Sequence, residues 1–498
     1  MTKTLPELLC SDAWWQDVGP ALSPDGRALV KENLTQASAK LDDKEKEKFT
    51  KALSALRAPK EPQLKWLRNL PAVPNSGEIL DLSNILICHP DTGAPINVVN
   101  RELPAVTFKG AVFAGKANFW KARFEGKANF TEVTFTGQVY FWEARFMGEA
   151  NFGQATFAGQ SDFWRATFEG KAYFEGATFT SEAKFLRATF EGEADFRNAT
   201  FTGEAKFLRA TFTSEASFLR ATFTGKANFR QATFTGEADF QQTEFLGMTI
   251  FREAKFTGVA TFHAARFGKT VSFRGSDWGA VPDFIGTAWK DGVAVDDFEQ
   301  LQTNLNTGKI DLRQQSTSDP ASRLQALRKM ARDADDRPRE LDYFALELQA
   351  RYQGKGFWAW TKRCLVCLYG WFSDYGRGVG RPLRGLLELC LLSMLCYWVL
   401  ADGDGSVLSN DRLFALTYGV LPDVDWSVWD KALLLSLVNA LPTLGAGSTA
   451  RESSVAALYG SNISDVPGLV HGIAVGEGVI GLILLFLIAL GLRNRFRL

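Results

Sequence analysis

The dominant pattern in the sequence is a large apolar residue that recurs at alternating steps of five and six positions. The series begins at Phe108 and Phe113 and runs without a gap to Phe273 and Trp278, so it contains 31 Phe and one Trp. A small residue, usually Ala, stands two positions before each aromatic residue, and Gly usually follows the second aromatic by two. The pattern therefore predicts sixteen units of eleven residues.

This spacing favours short β-strands over a helix. Residues five apart on a helix are turned by about 140° and share no face. Short strands with a turn after each place Phe inside, let Ala leave room beside it, and put Gly at a strained corner in the longer step. The interior positions expected on this basis include Phe119, Phe124, Phe130, Phe135, Phe185, Phe190, Phe229 and Phe234.

The repeat resembles the pentapeptide-repeat family, whose five-residue unit has a small residue two positions before Leu or Phe. The resemblance implies a right-handed quadrilateral β-helix in which each unit forms one side of a coil. The family repeats strictly every five residues, whereas this chain alternates five and six. With two eleven-residue units per coil, residues 105–278 are expected to form about eight coils and a rod about 38 Å long, at ~4.8 Å per layer.

The flanking segments lack the repeat. Residues 1–104 are expected to form a small α/β region, with a solvated, charge-rich helix at 41–56 and strands at 79–87 that cap the solenoid. A linker is expected at 279–319. Asp319 and Pro320 then predict the start of a helix, followed by a second helix in a juxtamembrane hairpin at 320–354.

The C-terminal part predicts a helical membrane domain. Aromatic and basic residues at 355–380 are typical of an interfacial helix. Two apolar segments, 383–401 and 473–492, are long enough to span a bilayer. Basic residues flank the outer ends of both, and the N-terminus carries no signal peptide. We therefore expect a two-span protein of the plasma (inner) membrane in contact with lipid, with both termini in the cytoplasm.

Between these spans lies an apolar run that begins at 430, is too short to cross a bilayer, and leads into a Thr-x-Gly-x-Gly loop ending near 448. The order of helix, short helix, loop and helix resembles the two-helix pore module of potassium-type channels. The loop departs from that family's filter, since Ala446 replaces the aromatic residue and no Asp follows Gly447. The candidate functional residues are Asn439, Pro442, Thr443, Leu444, Gly445, Gly447, His471, Glu477 and Glu388.

Ionisable residues inside apolar segments are candidates for function, so Glu477 is expected to face a pore or a partner, whereas Glu388 is expected to pair with Arg384. Glycines around Glu477 favour close helix packing. We expect a homo-oligomer, because two spans cannot enclose a pore alone.

Composition narrows the function further. The chain has 56 Lys+Arg and 56 Asp+Glu, so nucleic acid is not an expected partner. Some pentapeptide-repeat proteins mimic DNA and inhibit topoisomerases, but residues 105–275 hold 21 basic and 17 acidic residues, which disfavours that alternative. No phosphate-binding loop or catalytic set is evident, so we expect neither an enzyme nor a cofactor. Cys364 and Cys367 stand alone and are interpreted as buried helix residues rather than metal ligands.

Two functions stay open from the sequence. In the first, a cytosolic solenoid is a sensing or protein-binding arm on a channel-like oligomeric pore. In the second, the membrane part only anchors a non-conducting interaction scaffold. Both call for an unidentified cytosolic protein that binds the solenoid.

Overall fold

The computed structural model describes residues 5–18, 24–57, 80–87, 96–290, 295–310, 320–351, 366–367, 369–371, 375, 379–400, 426–441, 447–459 and 468–496. The chain forms two compact units, Met1–Asp336 and Arg337–Leu498. The first unit contains a β-solenoid with flanking helices, and the second contains helices.

The solenoid is built from 37 two-residue strands, numbered β1 to β37 in chain order, that form four parallel sheets. Sheet A contains every fourth strand from β1 to β33: Leu80–Asp81, Val106–Thr107, Ala128–Asn129, Ala150–Asn151, Ala172–Tyr173, Ala194–Asp195, Ala216–Ser217, Ala238–Asp239 and Ala260–Thr261. Sheet B contains β2 to β34 in the same way and then β37: Leu86–Ile87, Val112–Phe113, Thr134–Phe135, Thr156–Phe157, Thr178–Phe179, Thr200–Phe201, Thr222–Phe223, Glu244–Phe245, Arg266–Phe267 and Ala288–Trp289.

The other two sheets complete each coil. Sheet C contains β3 to β35: Ile96–Asn97, Ala117–Asn118, Val139–Tyr140, Ser161–Asp162, Ala183–Lys184, Ala205–Lys206, Ala227–Asn228, Thr249–Ile250 and Val271–Ser272. Sheet D contains β4 to β36: Glu102–Leu103, Arg123–Phe124, Arg145–Phe146, Thr167–Phe168, Thr189–Phe190, Thr211–Phe212, Thr233–Phe234, Lys255–Phe256 and Asp277–Trp278.

One coil takes 22 residues, because Val106 pairs with Ala128 and Ala128 pairs with Ala150 in the parallel ladder of sheet A. The solenoid has about nine coils, against the eight expected from the aromatic series. The additional strands at 80–87, 96–97, 102–103 and 288–289 carry Leu, Ile or Trp at their inward positions. A count that starts and ends with the regular five-and-six series does not detect them.

Stacked phenylalanines fill the interior. The Phe residues named above as interior positions are all 0–1% exposed. Each ring stacks on the equivalent ring of the next coil: the centroids of Phe185 and Phe207 are 4.8 Å apart with the rings within 1° of parallel. Neighbouring columns meet edge to face, as Phe185 and Phe196 do at 5.6 Å and 88°. This geometry adds favourable aromatic contacts to the burial of apolar surface.

The corner glycines have a different role from the one expected. Gly137 does not adopt a left-handed backbone; a Cβ there would collide with the backbone of Gly115 in the adjacent coil. Apart from Gly115 (φ 122°), the residues of the coils with positive φ lie in the shorter, five-residue step and are mostly ordinary amino acids, such as Glu132 (φ 60°) and Arg187 (φ 54°). Glycine is therefore favoured in the six-residue step because the coils approach closely there, not because of its dihedral freedom.

Helices cover part of the solenoid near its N-terminal end: Leu5–Leu9 (α1), Asp12–Val18 (α2), Pro24–Ala39 (α3) and Asp43–Ser54 (α4). A capping box between Asp42 and Glu45 begins α4. Phe49 and Leu53 of α4 are buried in a cluster that includes Ala114 and Ala158 of the solenoid. The charge-rich helix was expected to be solvated all round, but the apolar residues among its charges bury one face.

The C-terminal end of the solenoid is closed by a 3₁₀ turn at Val295–Phe298 and by helix α5, Glu299–Asn306. The Phe298 ring lies over Trp278, at a centroid distance of 6.2 Å. Asn304 donates hydrogen bonds to the Trp278 carbonyl and to Asp277. Phe298 and Asn304 fall within the segment 279–319 that was expected to be a linker, and in the structure they cap the stack of rings. Helix α6, Pro320–Asp333, begins at the predicted Pro320, and its Arg323 donates to the Val281 carbonyl.

The second unit contains the helices Arg337–Arg351 (α7), Gly380–Leu400 (α8), Trp426–Ala440 (α9), Gly447–Tyr459 (α10) and Gly468–Phe496 (α11). Helices α8, α9 and α11 pack against one another, and α10 packs on α9. Two buried apolar clusters lie between them, one around Tyr397 and Leu435 and one around Ala440 and Leu484.

The stacked interior predicts a large stability loss when one ring is removed. Phe185→Ala leaves a cavity between two stacked neighbours and should cost about 3–5 kcal/mol, with a smaller loss for Phe185→Leu. The measurement is thermal loss of the β-sheet circular dichroism signal of the full chain in detergent. Met248→Ala is the control, because Met248 is 49% exposed and should change stability by less than about 0.5 kcal/mol. Equal melting curves for the Phe185 and Met248 variants would contradict the stacking argument.

Candidate functional site

The most apolar helix of the second unit is α11. Its segment Gly468–Arg493 is long and apolar enough to cross a membrane, and among the residues that the structure describes no other helix meets that criterion. The first span expected from the sequence, 383–401, falls largely in α8, which carries Arg384 and Glu388 on its surface. The structure therefore supports one membrane-spanning candidate, where the sequence pattern predicted two.

A broad apolar surface covers this unit. Large hydrophobic side chains are exposed on α8, α9 and α11 alike: Leu383, Leu387, Leu391, Leu392, Leu433, Leu434, Leu437, Leu469, Val475, Val479, Ile480, Leu482, Ile483 and Phe486. The exposed fraction reaches 66% for Val475 and 65% for Phe486. Soluble monomers rarely expose apolar residues on this scale, so this surface marks a contact with lipid or protein.

The polar groups lie inside this apolar unit, gathered around Glu477. The Glu477 side chain is 2% exposed. The Tyr397 hydroxyl donates to its Oε2 at 2.8 Å, and Ser436 Oγ lies 2.5 Å from its Oε1. Asn439 Nδ2 donates in turn to the Tyr397 hydroxyl at 3.0 Å. We refer to Glu477, Tyr397, Ser436, Asn439 and Ser393, which also hydrogen-bonds Glu477, as the Glu477 cluster.

Helical spacing brings these side chains together. Ser393 and Tyr397 are four residues apart on α8, and Ser436 and Asn439 are three apart on α9, so each pair shares a helix face. Close approach of α9 and α11 completes the cluster. A Cβ at Gly481 would collide with the Ala440 backbone, so only glycine allows this contact.

The cluster holds a carboxylate without a cationic partner among the described residues. Several hydrogen-bond donors replace the water that a buried carboxylate loses, which is the usual requirement for burying such a group. The arrangement ties α8, α9 and α11 to one another. Among the described residues no group of three or more His, Cys, Asp and Glu side chains is placed to hold a metal ion.

The other predicted residues are dispersed. Glu388 forms an exposed ion pair with Arg384 at 2.7 Å, and His471 is exposed on α11. Gly447 is the first residue of α10, while Pro442, Thr443, Leu444 and Gly445 lie outside the described residues. Glu477 and Asn439 are thus the only two of the nine candidates that the described structure brings into one site.

Two further expectations need correction. Gly472 and Gly476 have open space around them, so only Gly478 and Gly481 of the glycines near Glu477 lie close to another helix. Cys367 is exposed rather than buried, because its short helical segment turns it outward, and Cys364 lies outside the described residues.

The sequence analysis missed Ser393, Tyr397 and Ser436. Each is a single polar residue in an apolar helix. A hydroxyl group in such a helix can face lipid, lie in the core between helices or belong to a functional site, so its presence alone does not predict a role. The available signal was the four-residue spacing of Ser393 and Tyr397 on α8, which puts both on one face.

A second notable surface lies on the solenoid, where the residues after the interior Phe of sheet C form a column. In chain order this column consists of Trp120, Trp142, Trp164, Leu186 and Leu208, and then Arg230, Arg252 and Arg274. Trp120 and Trp142 are 40% and 39% exposed. Lys121 and Arg165 lie over the rings of Trp120 and Trp164 at 5.1 and 4.9 Å. Aromatic and cationic groups of this kind are enriched where proteins bind one another.

Comparison with known proteins identifies the repeat. The family model described as pentapeptide repeats (9 copies) matches residues 119–167, 163–211 and 207–254. No curated protein and no solved structure matches the chain. The match lies wholly within the solenoid, so it does not extend to the helical unit.

The Glu477 cluster predicts a graded response to substitution. Glu477→Ala leaves the Tyr397 hydroxyl without its acceptor, whereas Ser436 can still donate to the Cys390 carbonyl, and it should destabilise the helical unit by about 1–3 kcal/mol. Glu477→Gln keeps one carbonyl oxygen and should cost less. Thermal loss of the helical circular dichroism signal in detergent measures both variants, with the exposed His471→Ala as control. If the Glu477→Ala and His471→Ala variants have the same melting temperature, the Glu477 cluster does not hold the helices together.

Proposed function

We propose that this chain, whose residues 119–254 are pentapeptide repeats in a parallel β-solenoid, is a membrane-anchored interaction scaffold. The helical unit anchors the protein in the bilayer, and the solenoid binds a cytosolic protein. The observation that carries the proposal is the pairing of opposite surface types in one chain. The helical unit exposes many large apolar side chains and buries the Glu477 carboxylate, whereas the solenoid buries its phenylalanines and exposes charges.

The membrane part of the proposal includes both spans predicted from the sequence. Helix α8 has 21 residues and is about 31 Å long at ~1.5 Å per residue, enough for the hydrocarbon core. Its exposed leucines recur at 383, 387 and 391, on one lipid-facing stripe. The Arg384–Glu388 pair lies near the N-terminal end of α8, where charged side chains can reach the headgroups. Because Arg381 lies in the first turn of α8 and Arg493 near the end of α11, our proposal has both termini in the cytoplasm.

The solenoid part rests on the rod's regular, mixed surface. Ion pairs link successive coils, as between Lys127 and Glu149 at 2.8 Å and between Lys171 and Glu193 at 2.8 Å. Such a surface offers many side chains in fixed register, which suits binding to another protein. No catalytic family is found for the chain, and pentapeptide-repeat solenoids are generally structural or interaction proteins. The right-handed sense implied by the family resemblance is part of this proposal.

Membrane anchoring predicts resistance to extraction at alkaline pH. The full chain should stay with the membrane pellet, and Ile483→Arg combined with Phe486→Arg should release it. Each charge placed at mid-membrane costs about 2.5–3.5 kcal/mol on insertion scales. Immunoblots of pellet and supernatant provide the measurement, and Leu246→Arg combined with Met248→Arg on the exposed solenoid surface is the matched control. Release of the wild-type chain, or equal retention of both variants, would refute the assigned anchor.

A second candidate function is a channel-like oligomeric pore, in which the solenoid is a regulatory arm. The observation that favours it is the intramembrane carboxylate of Glu477 with its hydroxyl partners, since ionisable groups inside membrane domains commonly mark ion or proton pathways. The scaffold is preferred because Glu477 is enclosed by helices of its own chain.

Conductance in planar bilayers separates the two candidates. The scaffold predicts no discrete currents from inserted full-length protein. A pore predicts currents that both Gly445→Val and Glu477→Ala abolish while insertion persists, and that Met248→Ala on the exposed solenoid surface leaves unchanged. Currents with that sensitivity would replace the scaffold as the assigned function, whereas currents that persist in both the Gly445 and the Glu477 variants would reject the proposed pore lining.

A further inference from the structure

Two charged columns of opposite sign run along different edges of the solenoid. The first, called here the basic column, consists of Arg165, Arg187 and Arg209 at the corner between sheets C and D. The second, called here the acidic column, consists of Glu193, Glu215 and Glu237, each immediately before a strand of sheet A. Both columns repeat every 22 residues, so each advances by one residue per coil.

The basic column has no carboxylate partner within the described part of the chain. Arg165 lies over the Trp164 ring, Arg209 donates to the Gln231 amide oxygen at 2.7 Å, and Arg187 forms no ion pair there. All three are exposed. Three cations at successive levels repel one another, and no carboxylate among the described residues pairs with them, so anions from another molecule can relieve this repulsion.

The acidic column carries the complementary excess. Glu193 pairs with Lys171, but Glu215 forms no ion pair among the described residues. Partial burial, and then the carboxylates of Glu237 and Glu193, raise the pKa of Glu215. Asp195 and Asp239 on the adjoining strands add to the negative field around Glu215. Like charges therefore accumulate around Glu215, although Lys171 pairs with Glu193 and the Arg323 guanidinium interacts with Glu237.

The axial spacing identifies what fits the basic column. Stacked rings of successive coils are 4.8 Å apart, as for Phe185 and Phe207, so like charges in either column recur at that interval. An extended peptide presents side chains on one side only every ~6.6 Å, so its carboxylates fall out of step with the arginines. A second solenoid of the same coil height stays in step along its whole length.

We infer that the basic column of one molecule binds the acidic column of a second copy, with the two solenoids side by side and their coils in register. Arg187 and Glu193 belong to almost the same level of the coil, as do Arg209 and Glu215, so equal heights bring at least two pairs together. The apolar column of Trp164, Leu186 and Leu208 runs beside the basic column and loses solvent in the same contact.

This contact uses two different surfaces of the molecule, so it is heterologous. After pairing, one copy still has a free acidic column and the other a free basic column, so association continues until a ring closes or a row ends. The inference goes beyond membrane anchoring and is independent of which cytosolic protein the solenoid binds. Rows of anchored solenoids would present many copies of any binding surface to a partner at once.

Charge reversal tests the contact in the full chain in detergent. One variant combines Arg187→Glu with Arg209→Glu, and another combines Glu193→Lys with Glu215→Lys. Sedimentation velocity at low ionic strength should show self-association weakened roughly tenfold or more in each, since like charges then face one another. Association of the wild-type chain should also weaken as salt is added, because exposed ion pairs are screened. Circular dichroism checks that each variant is folded.

Restoring the opposite charges distinguishes this contact from a general effect of net charge on association. An equimolar mixture of the two variants, and a chain carrying all four substitutions, should both recover association, because opposite charges meet again. Arg220→Glu with Arg266→Glu changes the net charge equally on another side of the rod and should leave association intact. Failure to restore, a control that weakens association equally, or a wild-type chain that does not self-associate through the solenoid would overturn the inference. If Arg187→Glu with Arg209→Glu abolishes the binding of an acidic protein and leaves self-association unchanged, the basic column binds that protein and not a second copy.

Discussion

Every coil of the solenoid must place its phenylalanines on those of the coil before it. Inward side chains contact only one another, face to face along a column and edge to face between columns, and the parallel ladder holds each two-residue strand opposite its equivalent one coil away. The 22-residue coil and the 4.8 Å stacking distance follow from this constraint. The requirement for Ala beside Phe and for Gly where coils meet follows as well, because larger residues would separate the stacked rings.

The same constraint organises the outer surface. A side chain at a given position of the coil has its counterparts directly above and below, so the surface is a set of columns rather than scattered residues. Columns of alternating sign stabilise themselves, as Lys127 and Glu149 do. Columns of one sign, or of exposed tryptophan, are left to interact with other molecules. The basic and acidic columns are thus consequences of the interior stacking combined with the choice of outward residues.

The helical unit has the opposite distribution of apolar and polar side chains. Its helices turn leucine, isoleucine and phenylalanine outward and gather hydroxyl, amide and carboxyl groups inside. In a bilayer, unsatisfied polar groups are costly and apolar side chains are not, so this arrangement agrees with the membrane anchor proposed above. The Glu477 cluster gives three helices a shared polar contact that lipid cannot replace.

The sequence by itself determined the solenoid, because a period of five and six residues is a local property that each unit repeats. It did not determine where the solenoid ends, since Ile87, Leu103 and Trp289 are in register with Phe residues of the adjacent coil without continuing the Phe series. Glu477 was recognisable as an ionisable residue in an apolar helix, but Tyr397 and Ser436 were not recognisable as its partners. They lie 80 and 41 residues from it in the chain, and only packing of three helices brings them into hydrogen-bonding distance. The charge columns follow from the 22-residue coil that the repeat predicts, but which of their residues find an ion-pair partner within the chain was decided only by the tertiary structure, because those partners lie on other coils and on the flanking helices.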